Sequence, residues 1–182
     1  MKLFLMSWTI AAFVWWLIAL CLLAQSRRRT PLPASARRAA MTVFKPLPPV
    51  RDEPERAALA AAIDSFVGQL AADDEMIIGL DAADAAGWQP SLQTWRAAWP
   101  AARIIVVARE VPRQWANPKI SWLQVLARSA GGEVWLWSDA DVTAPPGFLD
   151  GIGGQLAAGG GNAVTAPYVI QHIRQAHGVL DA

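Results

Sequence analysis

From Met41 onward the chain alternates between two hydrophobic rhythms. Short, almost continuous apolar runs predict five β-strands: "MTVFKPL" (41–47), "EMIIGLD" (75–81), "ARIIVVARE" (102–110), "EVWLWSD" (133–139) and "NAVTAPYVI" (162–170). Helical spacing fills the intervals. "EPERAALAAAIDSFVGQL" (53–70) places residues 59, 63, 66, 67 and 70 on one face, and "SLQTWRAAW" (91–99) aligns Leu92, Trp95 and Trp99 before Pro100. "PKISWLQVLARSAGG" (118–132) closes on Gly-Gly, and "PPGFLDGIGGQLA" (145–157) opens with proline, as first helical turns allow. Strands that are apolar throughout are expected to be covered on both faces, as in parallel sheets. The alternating order predicts an α/β domain with right-handed crossovers.

The first 40 residues follow another pattern. Leu3 to Ala24 is an uncharged run, "LFLMSWTIAAFVWWLIALCLLA", followed by Arg27, Arg28 and Arg29 and then Arg37 and Arg38. As a helix it would rise about 33 Å, against a bilayer core of about 30 Å. A cleaved signal peptide would have a shorter apolar region with its charges ahead of it. Here the charges come after, and positive residues stay in the cytoplasm. The expectation is therefore a single-pass transmembrane signal anchor over 1–25, a basic, Pro-containing linker over 26–40, and a cytoplasm-facing domain over 41–182. A bacterial inner membrane fits this arrangement. The linker arginines either only set topology or also touch anionic headgroups. Cys21 is the sole cysteine, so no intrachain disulfide can form, and it reads as a small lipid-facing hydrophobe.

Charge narrows the function. Residues 1–40 hold six basic residues and no acid, whereas the remainder holds ten basic residues against fifteen acids, a net of −5. A domain of that sign makes a nucleic-acid partner a poor match. "AAGGGN" (157–162) lacks the lysine and hydroxyl residue of a phosphate-binding loop. His172 and His177 stand five apart, about 140° around a helix, and do not form a metal pair.

Candidate chemistry gathers where parallel sheets bind ligands, beyond the carboxyl ends of the strands. Lys45 falls there after the first strand, Asp81 and Asp84 after the second, and Asp139 and Asp141 after the fourth. In extended chain Asp139 and Asp141 project the same way, with Ala140 between them. Two carboxylates so close resist joint ionisation. Mg²⁺ or Mn²⁺ would relieve that, since such ions take one or two carboxylates and complete the shell with substrate phosphates. Plainer readings stand beside these: D-x-D as a solvated turn or cap, Asp84 as a cap, and Lys45 as a structural or surface residue.

Several motifs in order resemble the family-2-like glycosyltransferases of the GT-A fold, most closely the ceramide glucosyltransferase branch with its hopanoid-associated bacterial relatives. They are "VFKPL" (43–47), "GLDAADAAG" (79–87), "WPAARIIVV" (99–107), "NPKISWL" (117–123), "WSDADVTAPPGFL" (137–149) and "AVTAPYV" (163–169). The resemblance spans about residues 41–170, and Trp122 stands where the family usually has asparagine. It implies a GT-A-like sheet flanked by helices and a metal-assisted, inverting transfer from a nucleotide-sugar, UDP-linked, to a lipid alcohol. In that reaction the acceptor hydroxyl attacks the anomeric carbon and the nucleoside diphosphate leaves. Asp139 and Asp141 would hold the Mg²⁺ or Mn²⁺, Asp81 or Asp84 would contact the nucleoside, and Lys119 and Lys45 would lie by the donor. Lys119 as a plain helix-start residue stays open.

The family's later aspartate base and its Q/R-x-x-R-W segment have no counterpart here, so the domain is expected to be incomplete at its carboxyl end and to hold the donor-binding part. Three explanations stay open: a fragment or truncated frame, a chain working with a second polypeptide, or a non-catalytic remnant acting as a membrane-anchored interaction module. A nucleotidyltransferase is disfavoured because "KPLPPVRDEP" (45–54) has no glycine after the first strand. Of the tryptophans, Trp95, Trp99, Trp135 and Trp137 are expected in the core. Trp115 and Trp122, flanking "NPK", could line a sugar or lipid groove.

Overall fold

The computed structural model describes residues 2–27, 39–111, 115–159 and 163–165. It divides into two compact units, Met1–Pro33 and Ala34–Ala182. Among the described residues the first contains one helix, α1 (Lys2–Arg27). Its described side chains, Ser7–Leu22 and Ala24, are all exposed. Trp8, Phe13, Trp15, Trp16 and Leu22 are among them, so the helix is apolar around its circumference and has no polar face. Among the described residues no helix is long and apolar enough to cross a membrane. In α1 those side chains cover 16 consecutive positions, about 24 Å of rise. They lie inside the longer uncharged run from Leu3 to Ala24.

The second unit is built on β1 (Met41–Pro46), β2 (Glu75–Leu80), β3 (Arg103–Ala108) and β4 (Val134–Trp137). All pairings are parallel and the order is β3-β2-β1-β4. Helices α2 (Glu53–Val67), α3 (Ala85–Ala98), α4 (Pro118–Ala127) and α5 (Phe148–Gly159) connect or follow the strands. This is the α/β arrangement expected from the alternating pattern. The expected fifth strand over 162–170 falls on a segment of which only 163–165 are described, and these are not in a strand.

Strand alternation sorts the core into two clusters. Met41, Val43, Met76, Ile78 and Leu80 face α2, α3 and α5, meeting Leu59, Ile63, Phe66, Trp88, Leu92, Trp95, Leu149 and Ile152. Phe44 and Ile77 face α4, meeting Leu123 and Leu126. The central strands β1 and β2 are buried along their whole length. The outer strands β3 and β4 are not, which corrects the expectation that every strand is covered on both faces. Trp135 and Trp137 are the clearest case. They pair with Thr42 and Phe44 on the α4 face and lie 50% and 56% exposed instead of in the core.

Local chemistry sets the helix ends. Asp52 caps α2 by accepting from the Glu55 amide at 2.8 Å, and Pro54 occupies its first turn. Asn117 caps α4 by accepting from the Lys119 amide at 3.0 Å, with Pro118 in the first turn. Helix α3 begins six residues ahead of the sequence expectation and carries Pro90 inside it. Proline lacks only one ladder donor, and burial of Trp88, Leu92 and Trp95 on one stripe outweighs that loss.

The amino ends of the strands are joined by a buried carboxylate. Glu75 accepts from the Thr42 hydroxyl at 2.8 Å and the Gly131 amide at 2.5 Å, and pairs with Arg103 at 3.0 Å. Burial alone would raise its carboxyl pKa. The amide of Gly131, the Thr42 hydroxyl, Arg103 and the Gly132 amide outweigh burial and hold it below the ordinary glutamate value. Its stabilisation is therefore complete above the unfolded value and is lost as pH falls through the lower, folded one. Melting temperatures between pH 3 and 6 should show this: Glu75→Gln flattens the acid-side loss, and Glu75→Ala lowers stability by about 1–3 kcal/mol at neutral pH. An unchanged acid slope in Glu75→Gln would contradict the assignment.

Candidate functional site

Chain order reverses beside β1: β2 and β3 are laid down on one side of it and β4 on the other. Open α/β sheets bind ligands in the crevice that this reversal leaves at the carboxyl ends of the strands. A cleft of about 570 Å³ lies there, within the ordinary range for small-molecule sites. One wall is the segment after β1, Pro46 to Pro49, with Glu55, Ala58 and Leu59 of α2 behind it. The other is the amino end of α4, Asn117, Pro118, Lys119 and Trp122, with Ala140 and Asp141 from the segment after β4. Gly79 explains how Trp122 comes so near the sheet: a Cβ there would stand 2.7 Å from the indole ring.

The end of β4 shows why an apolar strand runs into two acids. The Ser138 amide continues the ladder to the Phe44 carbonyl at 3.3 Å. Ala140 turns inward and is buried, whereas Asp139 and Asp141 on either side of it are exposed. The Val142 amide donates to the Asp139 carbonyl at 3.4 Å, so the two acids lie in a turn and not in the extended chain assumed from the i, i+2 spacing, and both side chains are exposed. Lys119, carried to the site by the Asn117 cap, forms an ion pair with Asp139. Both partners are well exposed, so the pair adds little to stability and the lysine can move.

Lys45 is placed differently from the expectation that it lies by the donor. Its side chain is fully buried. The ammonium donates to Ser138 Oγ at 3.0 Å, to the Asp139 carbonyl at 2.8 Å and to the Val142 carbonyl at 3.1 Å, and it lies 3.9 Å from the centre of the Phe66 ring. All three ammonium protons are thus engaged. The amine is lowered to about 7: burial is the main cause, Asp141 opposes it and Lys119 adds to it. The structural reading of Lys45 is the one this geometry matches.

Asp81 and Asp84 stand at the carboxyl end of β2 and are not in the cleft lining. Asp81 caps the short turn after β2 by accepting from the Ala83 amide at 2.9 Å. Asp84 accepts from the Val50 amide at 3.3 Å and so ties down the end of the Pro46–Pro49 wall. Trp122 does line the groove; Trp115 is exposed and donates to the Gln124 side chain at 3.1 Å. Sequence reasoning missed Ser138 and Phe66, the partners of Lys45, and Glu55 on the cleft wall. Nothing in their local sequence signals these roles, because each contact joins residues distant in the chain.

Whether a divalent cation fits depends on the donor set. Among the described residues no group of three or more His, Cys, Asp or Glu side chains is arranged to hold a metal. Asp139 and Asp141 provide two exposed carboxylates two residues apart. That matches a Mg²⁺ or Mn²⁺ site completed by substrate oxygens, and does not match a cage made by protein alone.

No curated protein matches the chain. Among solved structures, a mannosyltransferase from Pyrobaculum calidifontis, determined with GDP-Man and Mn²⁺, shares the fold with a TM-score of 0.52 at 19% identity. The match covers 77% of this chain, and the chain spans 40% of the length of that relative. The family model for glycosyl transferase family 21 matches residues 4–182, and the chain belongs to that family.

Proposed function

We propose that the cleft between β1 and β4 takes a nucleotide-sugar donor, and that the chain is the donor-binding part of a membrane-anchored glycosyltransferase acting on a lipid alcohol. One observation carries the reading. Asp141 and Lys119 line an apolar-walled cleft at the sheet's reversal point, and exposed Asp139 reaches it through its ion pair with Lys119. In this reading the apolar wall and Trp122 receive the nucleoside and sugar, while the diphosphate lies toward Lys119. Asp139 and Asp141 hold Mg²⁺ or Mn²⁺, which supplies charge neutralisation to the diphosphate, including as it leaves. Asp84 keeps the Pro46–Pro49 wall in place, and Asp81 shapes the turn beside it.

The uncharged run over 3–24, the arginines behind it and the all-round exposure of the described α1 side chains support a helix that lies in a bilayer, with the globular unit on the cytoplasmic side. The solved relative was bound to GDP-Man, so guanosine and uridine donors are both to be compared. The second reading, a non-catalytic interaction module, draws its support from the Lys119–Asp139 pair, which already neutralises one carboxylate.

Calorimetry on the detergent-solubilised chain decides between them. UDP and GDP are titrated with and without Mn²⁺, and circular dichroism confirms the fold. Metal-dependent binding of either nucleotide is the expected result. A folded protein that ignores both, with or without metal, would overturn the donor-site reading in favour of the interaction module.

A further inference from the structure

Lys45 is a buried cation that no step of the proposed transfer uses. Burying an ammonium is costly unless the protein answers it with hydrogen bonds, and no carboxylate bonds to it among the described residues. Its acceptors are instead one hydroxyl and two carbonyls, all between Ser138 and Val142. That five-residue segment contains both exposed carboxylates. Lys45 is also the fifth residue of β1, directly before Pro46 and Leu47 on the opposite cleft wall. One side chain therefore ties the two walls of the cleft together from below. Its ammonium is also attracted by the Asp141 carboxylate, while the Asp139 carboxylate is paired with Lys119.

We propose that Lys45 is a positioning residue: its three hydrogen bonds hold the Ser138–Val142 turn that presents Asp139 and Asp141 to a divalent cation and a diphosphate. The part concerning the cation rests on the donor-site reading above; the ordering of the turn does not. Methionine at this place would fill a similar volume and could not donate, so the turn would keep its packing and lose its anchor. Ser138→Ala removes one acceptor and leaves the ammonium in place. Its effect should fall between wild type and Lys45→Met.

Two measurements on the full chain test this. In the first, UDP and GDP affinities are read with and without Mn²⁺. Lys45→Met should cut the Mn²⁺-dependent gain about 10–100-fold, the size of effect seen when supporting partners of metal ligands are lost. Metal-free nucleotide binding should change less than about twofold, which a general loss of structure would not permit. In the second, hydrogen exchange at residues 138–142 should quicken at least about tenfold in Lys45→Met, with β1 and β2 unchanged. A wild-type gain from Mn²⁺ that survives intact in Lys45→Met would overturn the proposal and leave the donor site standing. Wild-type protein without any Mn²⁺ gain would sink the donor-site reading and the cation part of this proposal together. Exchange that is unchanged, or that rises uniformly through the sheet, would overturn the ordering role by itself.

Discussion

Changing Asp139 and Asp141 together to asparagine is expected to remove metal-dependent nucleotide binding by at least about 100-fold while leaving the fold intact. Losing one outer partner of a metal ligand costs about 10–100-fold, and here both charged ligands go. Asparagine keeps the shape of each side chain and one oxygen, so the change isolates charge. The fold should not notice. Both side chains are exposed, and substitutions at such positions usually lie within about 0.5 kcal/mol. The single changes should differ in character. Asp139→Asn releases Lys119 from its ion pair, leaving a free ammonium at the cleft for a diphosphate. Metal-free nucleotide binding should therefore hold or improve in Asp139→Asn while the metal gain falls. Asp141→Asn removes a cleft-lining charge that also attracts the buried Lys45 ammonium. Its loss should weaken the metal gain without that compensation. Calorimetry with and without Mn²⁺, beside a thermal melt, checks each point. A double variant that binds nucleotide and metal as wild type does would show that the two acids are surface residues and nothing more.

Trp95→Ala should have the largest effect on stability, about 3–5 kcal/mol. The side chain is almost wholly buried between α2 and α3, its ring centre 6.4 Å from that of Trp88. Its indole N–H donates to the Asp64 carboxylate. Truncation opens a cavity, and the exposed Asp64 carboxylate loses one hydrogen bond that water can replace. For a chain of this size the melting temperature should fall by about 10 °C or more. Trp135→Ala is the matched control. That ring is half exposed and touches Phe44 edge-on at 5.6 Å, so its loss should cost about 1 kcal/mol or less. Chemical denaturation of both variants provides the comparison. Equal losses would contradict the assignment of Trp95 to the core and Trp135 to the rim.

The contrast between these tryptophans shows where sequence legibility ends. Both sit in apolar runs, and local pattern treats them alike. The distinction arises because, among the described residues, α4 is the helix that covers its face of the sheet, packing on Phe44 and Ile77 and not on Trp135 or Trp137. Helix α3 was legible in part. Leu92 and Trp95 announced its stripe, but the helix starts earlier than that stripe, at Ala85, and buries Trp88 as well. The candidate site divides in the same way. Asp139 and Asp141 could be read directly as acids just beyond an apolar strand, since a strand's end is set by local pattern. So could the Asn117–Pro118 start of α4, which rests on capping chemistry within one turn. Lys45 could not. Its residue type and its place at a strand end left a donor contact and a structural role both open, and only the pairing of β1 with β4 brings it under Ser138, more than ninety residues away.

Sequence alone determined the order of strands and helices, the parallel sheet, the uncharged run near the amino end and the two acids just beyond β4. These depend on periodicity, propensity and spacing, which act over a few residues. Tertiary structure alone decided which tryptophans are buried, that Lys119 meets Asp139, that Asp84 pins the wall of the cleft, and that Lys45 props the acidic turn. Those depend on which strands become neighbours, and neighbour choice is settled by burial across the whole sheet.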